Sequence, residues 1–305
     1  MNLAKILVTD KIHDDGIKML EEIGEVDVKT GLTPKELLEE IKRYDVLVVR
    51  SATKVTKEVI DEGKQLKIIA RAGVGLDSID VQAANSRGIK LINAPEAPTI
   101  AVAELVIGLM LSWARKLPQA DSSMKQGRWE KTQLMGSELR GKTLGIIGTG
   151  RIGKAVGYRA KAFLMDILAF DVKQDAEFIR GTGARYVDLE ELLRKSDFVS
   201  LHVPAFSQTH HMIEMREIEL MKPSAVLVNT SRGEVIDEAA LTDALKKGKI
   251  AGACLDVYER EPPKDSPLLK LPNVVLMPHI GASTVEAQRE AALIIAEKIK
   301  IATIK

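Results

Sequence analysis

The stretch LGIIGTGRIG, residues 144–153, constrains this chain more than any other. It sets glycine at 148, 150 and 153, between an apolar run, TLGII, and a helical pattern, KAVGYRAKAF. A strand that feeds such a turn and then a helix opens a doubly wound α/β sheet. Gly148 permits the tight turn, Gly150 lets backbone approach a pyrophosphate, and Gly153 lets the helix pack close to the strand. The helix N-terminus then offers unsatisfied N–H groups and partial positive charge to phosphate. Asp171 closes the next apolar run, ILAF, 18 positions past Gly153. A carboxylate there accepts hydrogen bonds from ribose hydroxyls and repels a 2′-phosphate, which favours NAD over NADP.

The same texture runs through the rest of the chain. KILVTD, DVLVVR, LKIIAR and IKLINA are short apolar runs in the first hundred residues. Helical patterns separate them; between Pro34 and Lys42, for example, Leu37, Leu38 and Ile41 share one face. From Lys142 on, TLGIIG, ILAFD, FVSLHVP, AVLVNTS, IAGACLDV and VVLMPH repeat the alternation. Continuous apolar strands between amphipathic helices indicate parallel sheets covered on both faces. The expectation is an α/β protein of two doubly wound parallel-sheet domains, Rossmann-like and flavodoxin-like. Because the glycine turn begins at residue 148, the module ahead of it reads as a substrate domain. The segment from Thr99 to about Lys116 is apolar nearly all round. It reads as a helix buried on most sides, either in one domain's core or between domains or subunits. A last helix is expected from about Thr284 to Ala302, and a loop over the proline- and charge-rich 260–272.

Composition removes several classes of function. Forty-four basic residues against 43 acidic ones give a net charge of +1, without the basic surplus of a nucleic-acid binder. A single cysteine, Cys254, forms no internal disulfide and builds no multi-cysteine metal site. It lies in an apolar run and reads as buried filler. The most apolar stretch, Ala101 to Ala114, carries Glu104 and falls short of a membrane span. The apolar run at the N-terminus is too short for a signal peptide. A soluble cytoplasmic protein is expected, with no metal, membrane or nucleic-acid partner.

Three polar clusters follow apolar runs in the second half: Arg232 in NTSRGEVID, Asp256 and Glu261 in LDVYEREPP, and His279 in MPHIGAST. Ligands of open α/β sheets sit beyond the carboxyl ends of the strands, so the three are expected to converge on one crevice. Removing hydride from an alcohol requires a base for the hydroxyl proton, and the His279 imidazole suits that task. Glu261 is the carboxylate to orient it, and Arg232 the planar cation for a substrate carboxylate. Asp256 ends its strand where it would contact the nicotinamide. His202 reads as a wall of the cofactor pocket or a structural group. His13, His210 and His211 read as surface residues.

Together RAGVGLDSID, LGIIGTGRIG, NTSRGEVIDEAAL, ACLDVYEREPP and PHIGAST resemble the D-isomer-specific 2-hydroxyacid dehydrogenases along essentially the whole chain. VVRSATKVTKEVI, the AEL of the long helix and QGRWEK are most similar to the branch that oxidises D-3-phosphoglycerate to 3-phosphohydroxypyruvate. The resemblance implies NAD as cofactor and Arg232, Glu261 and His279 as catalytic set. It implies cofactor contacts at Gly148, Gly150, Arg151, Ile152, Gly153, Asp171, Val203, Pro204, Thr230, Ser231, Asp256, Gly281 and Ala282. It implies that backbone N–H groups of Val74 and Gly75 take a substrate carboxylate, with Arg50, Ser51 and Arg71 toward the distal, phosphorylated end of a small anionic substrate. It further implies a substrate domain of 1–98 plus 283–305, split by a cofactor domain of 99–282, and assembly as a homodimer or homotetramer. Pro98 stands where the family usually has an asparagine amide. The chain resembles a short form without a C-terminal regulatory domain. The alternatives are a glyoxylate or hydroxypyruvate reductase of the same family and an NADH-binding, corepressor-like scaffold without catalysis. An L-2-hydroxyacid dehydrogenase would carry its glycine turn near the N-terminus.

Overall fold

The computed structural model describes residues 4–303, and the chain divides into two compact units. One runs up to Ala101 and resumes at Ala282; the other is Val102–Gly281.

The first unit holds a five-stranded sheet of β1 (Ala4–Val8), β2 (Gly24–Val28), β3 (Val46–Val49), β4 (Ile68–Arg71) and β5 (Lys90–Asn93). Their order is β2-β1-β3-β4-β5, and every pairing is parallel. Period-two alternation sends the side chains of each strand to opposite faces. Ile6, Val8, Val46, Val48, Ile68 and Ala70 face one layer, where Ala292, Ile295 and Ile299 of the helix Val285–Thr303 cover them. Leu7, Leu47, Val49 and Ile69 face the other, against Leu37, Ile41, Val59 and Ile60. The last helix therefore completes the first sheet. It lies so close to the helix Asp14–Glu21 that a Cβ at Gly16 would overlap that of Ala292.

The second unit holds seven parallel strands: β6 (Thr143–Ile147), β7 (Asp166–Phe170), β8 (Arg185–Tyr186), β9 (Phe198–Leu201), β10 (Val226–Asn229), β11 (Gly252–Leu255) and β12 (Val274–Leu276). Their order is β12-β11-β10-β9-β6-β7-β8. The winding direction reverses between β6 and β9, the switch point at which such sheets bind ligands. Leu144, Ile146, Val226, Val228 and Cys254 pack on one face with Ala103, Val106, Ile107, Leu109 and Met110 of the long helix, Thr99–Ala114. That helix thus serves the core of the second unit along this stretch. Ile147, Val199, Leu227 and Leu255 line the opposite face with Leu192, Leu193, Ile218 and Leu241.

Two strands carry no apolar run in the sequence, β2 (GEVDV) and β8 (two residues). Both lie at a sheet edge, where side chains meet solvent and neither face must be wholly apolar. The expected loop after Arg260 contains a short 3₁₀ turn, Pro267–Lys270.

Ile295 is fully buried beneath the first sheet. Ile295→Ala should cost about 2–5 kcal/mol through lost burial and the cavity left behind, read from chemical denaturation. An unchanged midpoint would contradict the assignment of the last helix to that core.

Candidate active site

In the second unit the glycine-rich turn leaves β6 and enters the helix Arg151–Ala162. Gly148 has φ +93°, a left-handed conformation that side chains rarely adopt, and a Cβ there would sit 2.6 Å from the His202 carbonyl oxygen. At Gly153 a Cβ would overlap the Gly148 carbonyl oxygen. At Gly150 a Cβ would meet nothing within 4 Å, so that face of the turn is open to a ligand. Gly150 is the N-cap, and among the described residues no side-chain cap hydrogen bond is made at this helix start. Arg151 and Ile152 form the first turn beside it. Val203 and Pro204 follow β9 against the same turn, with Val203 Cγ1 2.9 Å from the position of a Gly148 Cβ.

Asp171, just past β7, accepts hydrogen bonds from the Thr149 N–H (2.6 Å) and hydroxyl (3.1 Å) on Oδ2, and from the Lys173 N–H (3.1 Å) on Oδ1. The Tyr186 hydroxyl donates to that of Thr149 (2.8 Å). The carboxylate therefore braces the glycine turn from below. Thr230, just past β10, has a buried hydroxyl without a partner among the described residues. An orphaned hydroxyl, an uncapped helix start and an open Gly150 in one sheet are what a dinucleotide cradle requires. The residues present fit NAD.

The imidazole and carboxylate predicted as a pair meet. His279 Nδ1 donates to Glu261 Oε2 at 2.7 Å, and among the described residues Nε2 has no hydrogen-bond partner. His279 sits at φ +54° and Glu261 precedes a cis proline, Pro262. Asp256, just past β11 and 1% exposed, accepts from the Ile280 N–H on one carboxylate oxygen (2.7 Å) and from the Gly281 N–H on the other (2.8 Å). Burial pushes its carboxyl up from the ordinary carboxylate value, and these two N–H groups oppose the rise. Asp256 thus anchors the turn behind His279.

Arg232 and Ser231 follow β10, and buried Asn229 shapes their loop. Its carbonyl oxygen accepts from the Ser231 N–H (3.0 Å) and hydroxyl (2.8 Å), and its amide donates to the Arg232 carbonyl (2.8 Å). A Cβ at Gly233 would overlap the Tyr258 backbone, so this loop lies against the 258–261 segment that carries Glu261. Tyr258 closes the arrangement. Its N–H donates to Glu261 Oε1 (3.2 Å) and its hydroxyl to the Met277 carbonyl (2.9 Å), and burial pushes its pKa up to about 12. Nothing in the sequence singled out Asn229 or Tyr258; their position at the end of apolar runs is the only available signal.

His202 shares a 2.9 Å hydrogen bond with the buried Ser200 hydroxyl, and burial pushes its pKa down to about 3, so it stays neutral. Burial likewise pushes the Cys254 thiol up to about 12, leaving an inert buried side chain. His13 and His211 are partly exposed at the surface, as expected, and each has a partner there. His13 caps the helix Asp14–Glu21 through the Asp15 N–H, and His211 Nε2 pairs with Glu259 Oε1 at 2.7 Å. Glu259 and Glu238 accept each other's backbone N–H, tying the 258–261 segment to the helix Glu238–Lys246.

In the first unit a pocket is lined by Lys11, Arg50, Val74, Pro98, Ala282 and Gln288, among others. Ala282, assigned to the cofactor by resemblance, is placed here. The N–H groups of Val74 and Gly75 have no acceptor among the described residues. Asp10, which the sequence did not single out, accepts from the Arg50 N–H (2.6 Å), the Thr53 N–H (3.2 Å) and the Thr53 hydroxyl (2.7 Å). It thereby fixes the loop of Arg50 and the exposed Ser51. Arg71 does not line the pocket; its guanidinium braces the Arg50 carbonyl (2.9 Å) and the Gly75 carbonyl and lies 3.6 Å from Asp77. Among the described residues no helix is long and apolar enough to cross a membrane, and no cluster could hold a metal ion.

Residues 107–281 match the family model described as D-isomer specific 2-hydroxyacid dehydrogenase, NAD binding domain. A D-3-phosphoglycerate dehydrogenase of Methanocaldococcus jannaschii is 56% identical over 98% of this chain and 57% of its own. A hydroxypyruvate reductase of Thermotoga maritima is 49% identical over 97% of both chains. The structure of D-lactate dehydrogenase from Aquifex aeolicus, complexed with NAD and lactic acid, superposes with a TM-score of 0.86 at 30% identity, covering 98% of this chain and 95% of that one. The chain spans about half the length of the phosphoglycerate dehydrogenases it matches.

Two glycine variants separate packing from ligand approach. Gly150→Ala should leave thermal stability unchanged and weaken NADH binding at least about tenfold, because its methyl occupies only ligand space. Gly153→Ala should lower both, through overpacking of about 1–3 kcal/mol. Fluorescence titration with NADH beside thermal melts reads the pair; equal NADH affinity in Gly150→Ala and the parent would contradict the cradle.

Proposed function

Because the chain belongs to the D-isomer specific 2-hydroxyacid dehydrogenases, we propose that it catalyses the NAD-linked oxidation of D-3-phosphoglycerate to 3-phosphohydroxypyruvate. The observation that carries the chemistry is the 2.7 Å contact between His279 and Glu261, which leaves Nε2 as the nitrogen free to work. NAD, when bound at the glycine turn, supplies the two-electron acceptor. In oxidation His279 Nε2 takes the proton of the substrate hydroxyl; in reduction it returns that proton to the carbonyl oxygen. Glu261 holds the ring through Nδ1 and stabilises its charged form. Arg232 binds the substrate carboxylate and orients the carbon that changes oxidation state. The N–H groups of Val74 and Gly75 serve as carboxylate donors, and Arg50 and Ser51 serve the distal phosphate. The identity to the M. jannaschii enzyme supports the phosphorylated substrate.

A second reading is reduction of hydroxypyruvate or glyoxylate. Its support is the T. maritima reductase, which matches this chain over nearly the whole length of both. A homodimer or homotetramer is proposed with either reading. Leu117, Met124, Trp129 and Met135 leave apolar surface exposed along one stretch, which assembly would cover. The cytoplasm is the proposed location.

A steady-state panel of 3-phosphohydroxypyruvate, hydroxypyruvate and glyoxylate, with NADH and NADPH, decides between the readings. The phosphorylated acid with NADH should exceed the others in kcat/KM by at least about tenfold. Glyoxylate or hydroxypyruvate in first place would favour the second reading.

A further inference from the structure

The pocket of the first unit has an uneven charge. Lys11, in the loop after β1, and Arg50, in the loop after β3, both line it, and among the described residues no carboxylate does. Among the described residues neither side chain forms an ion pair. The adjacent carboxylate, Asp10, turns both oxygens to the backbone of Arg50 and to Thr53, so it is unavailable to Lys11. Gln288, from the last helix, adds an amide, while Pro98 contributes neither a side-chain donor nor an N–H. Two cations without counter-charges beside an apolar wall of alanines attract an anion carrying more than one negative charge. The Asp10 contacts matter here because they fix the Arg50 loop against the chain segment that leads into Lys11.

We infer that Lys11 is a specificity-determining residue that selects a phosphomonoester on the substrate over its unphosphorylated counterpart. The inference rests on the proposed oxidation of a phosphorylated 2-hydroxy acid and names a residue for its distal group. A phosphomonoester carries close to two negative charges near neutral pH. The flexible Lys11 ammonium meets it as a point charge, whereas the Arg50 guanidinium presents a fork. The phosphate of the substrate and free inorganic phosphate share this chemistry, and the two are told apart by competition.

The test compares the parent with Lys11→Met and Lys11→Arg. In Lys11→Met, KM for 3-phosphohydroxypyruvate should rise about tenfold, the scale of one hydrogen bond to a charged group. The ratio of kcat/KM for 3-phosphohydroxypyruvate over hydroxypyruvate should fall by the same factor. Lys11→Arg should restore most of both, which a merely structural lysine would not require. Calorimetric binding of D-3-phosphoglycerate and of D-glycerate supplies a readout independent of turnover; only the phosphorylated acid should weaken in Lys11→Met. Inorganic phosphate should compete with 3-phosphohydroxypyruvate less effectively in Lys11→Met than in the parent. A parent enzyme that prefers the phosphorylated acid, with Lys11→Met showing the same preference and the same D-3-phosphoglycerate affinity, overturns the inference and leaves the proposed function standing. A parent that favours unphosphorylated acids overturns the proposed function, and the calorimetry then decides the role of Lys11 alone.

Discussion

One buried carboxylate organises the end of the second sheet that carries His279. A charge removed from water is tolerated only where hydrogen bonds replace the lost hydration. Asp256 meets that condition with the N–H groups of Ile280 and Gly281, and its own N–H donates to the Asn229 carbonyl at the end of the neighbouring strand. The turn that holds His279 in a left-handed conformation is built on those bonds. Tyr258 ties the same turn from its other side by donating to the Met277 carbonyl and to Glu261. Backbone from the ends of three strands is thus locked before the imidazole and its carboxylate meet. Such preorganisation lets a partly exposed pair keep a 2.7 Å contact.

The two sheets achieve the same end by layering. Each buries apolar side chains on both faces, so polar function is confined to the loops at the strand ends. In the second sheet the glycine turn, Asp171, Val203, Thr230 and Asp256 all follow strands. In the first, Asp10 and Arg50 do so as well. Asp10 and Asp256 use one device, a shielded carboxylate that accepts backbone N–H groups and so fixes a loop bearing charged side chains.

Much of this was legible in the sequence because it is local. A glycine turn between a strand and a helix is a matter of adjacent residues, and strands buried on both faces read as continuous apolar runs. The edge strands β2 and β8 were not legible, since half-exposed strands need no such run. Contacts between distant residues were equally hidden. Asp10 meets residues 40 and more positions on, His211 meets Glu259 across 48, and Arg71 turns to carbonyls of its own sheet end. The resemblance set Arg71 toward the distal end of the substrate; the structure adds its hydrogen bonds to the Arg50 and Gly75 carbonyls, which no local pattern announces. Residue type suggested pairing Glu261 with His279; the distance between them depends on Asp256 and Tyr258, whose part no spacing rule reveals.

In the proposed reaction His279, oriented by Glu261, carries the proton. Asparagine tolerates the left-handed backbone at this position, so His279→Asn removes the imidazole with little strain. Single-turnover consumption of NADH with a saturating 2-oxo acid, measured alongside NADH binding, isolates the step. The rate should fall by roughly 10² to 10⁴, with NADH affinity held within a few-fold. A rate within a few-fold of the parent would contradict it.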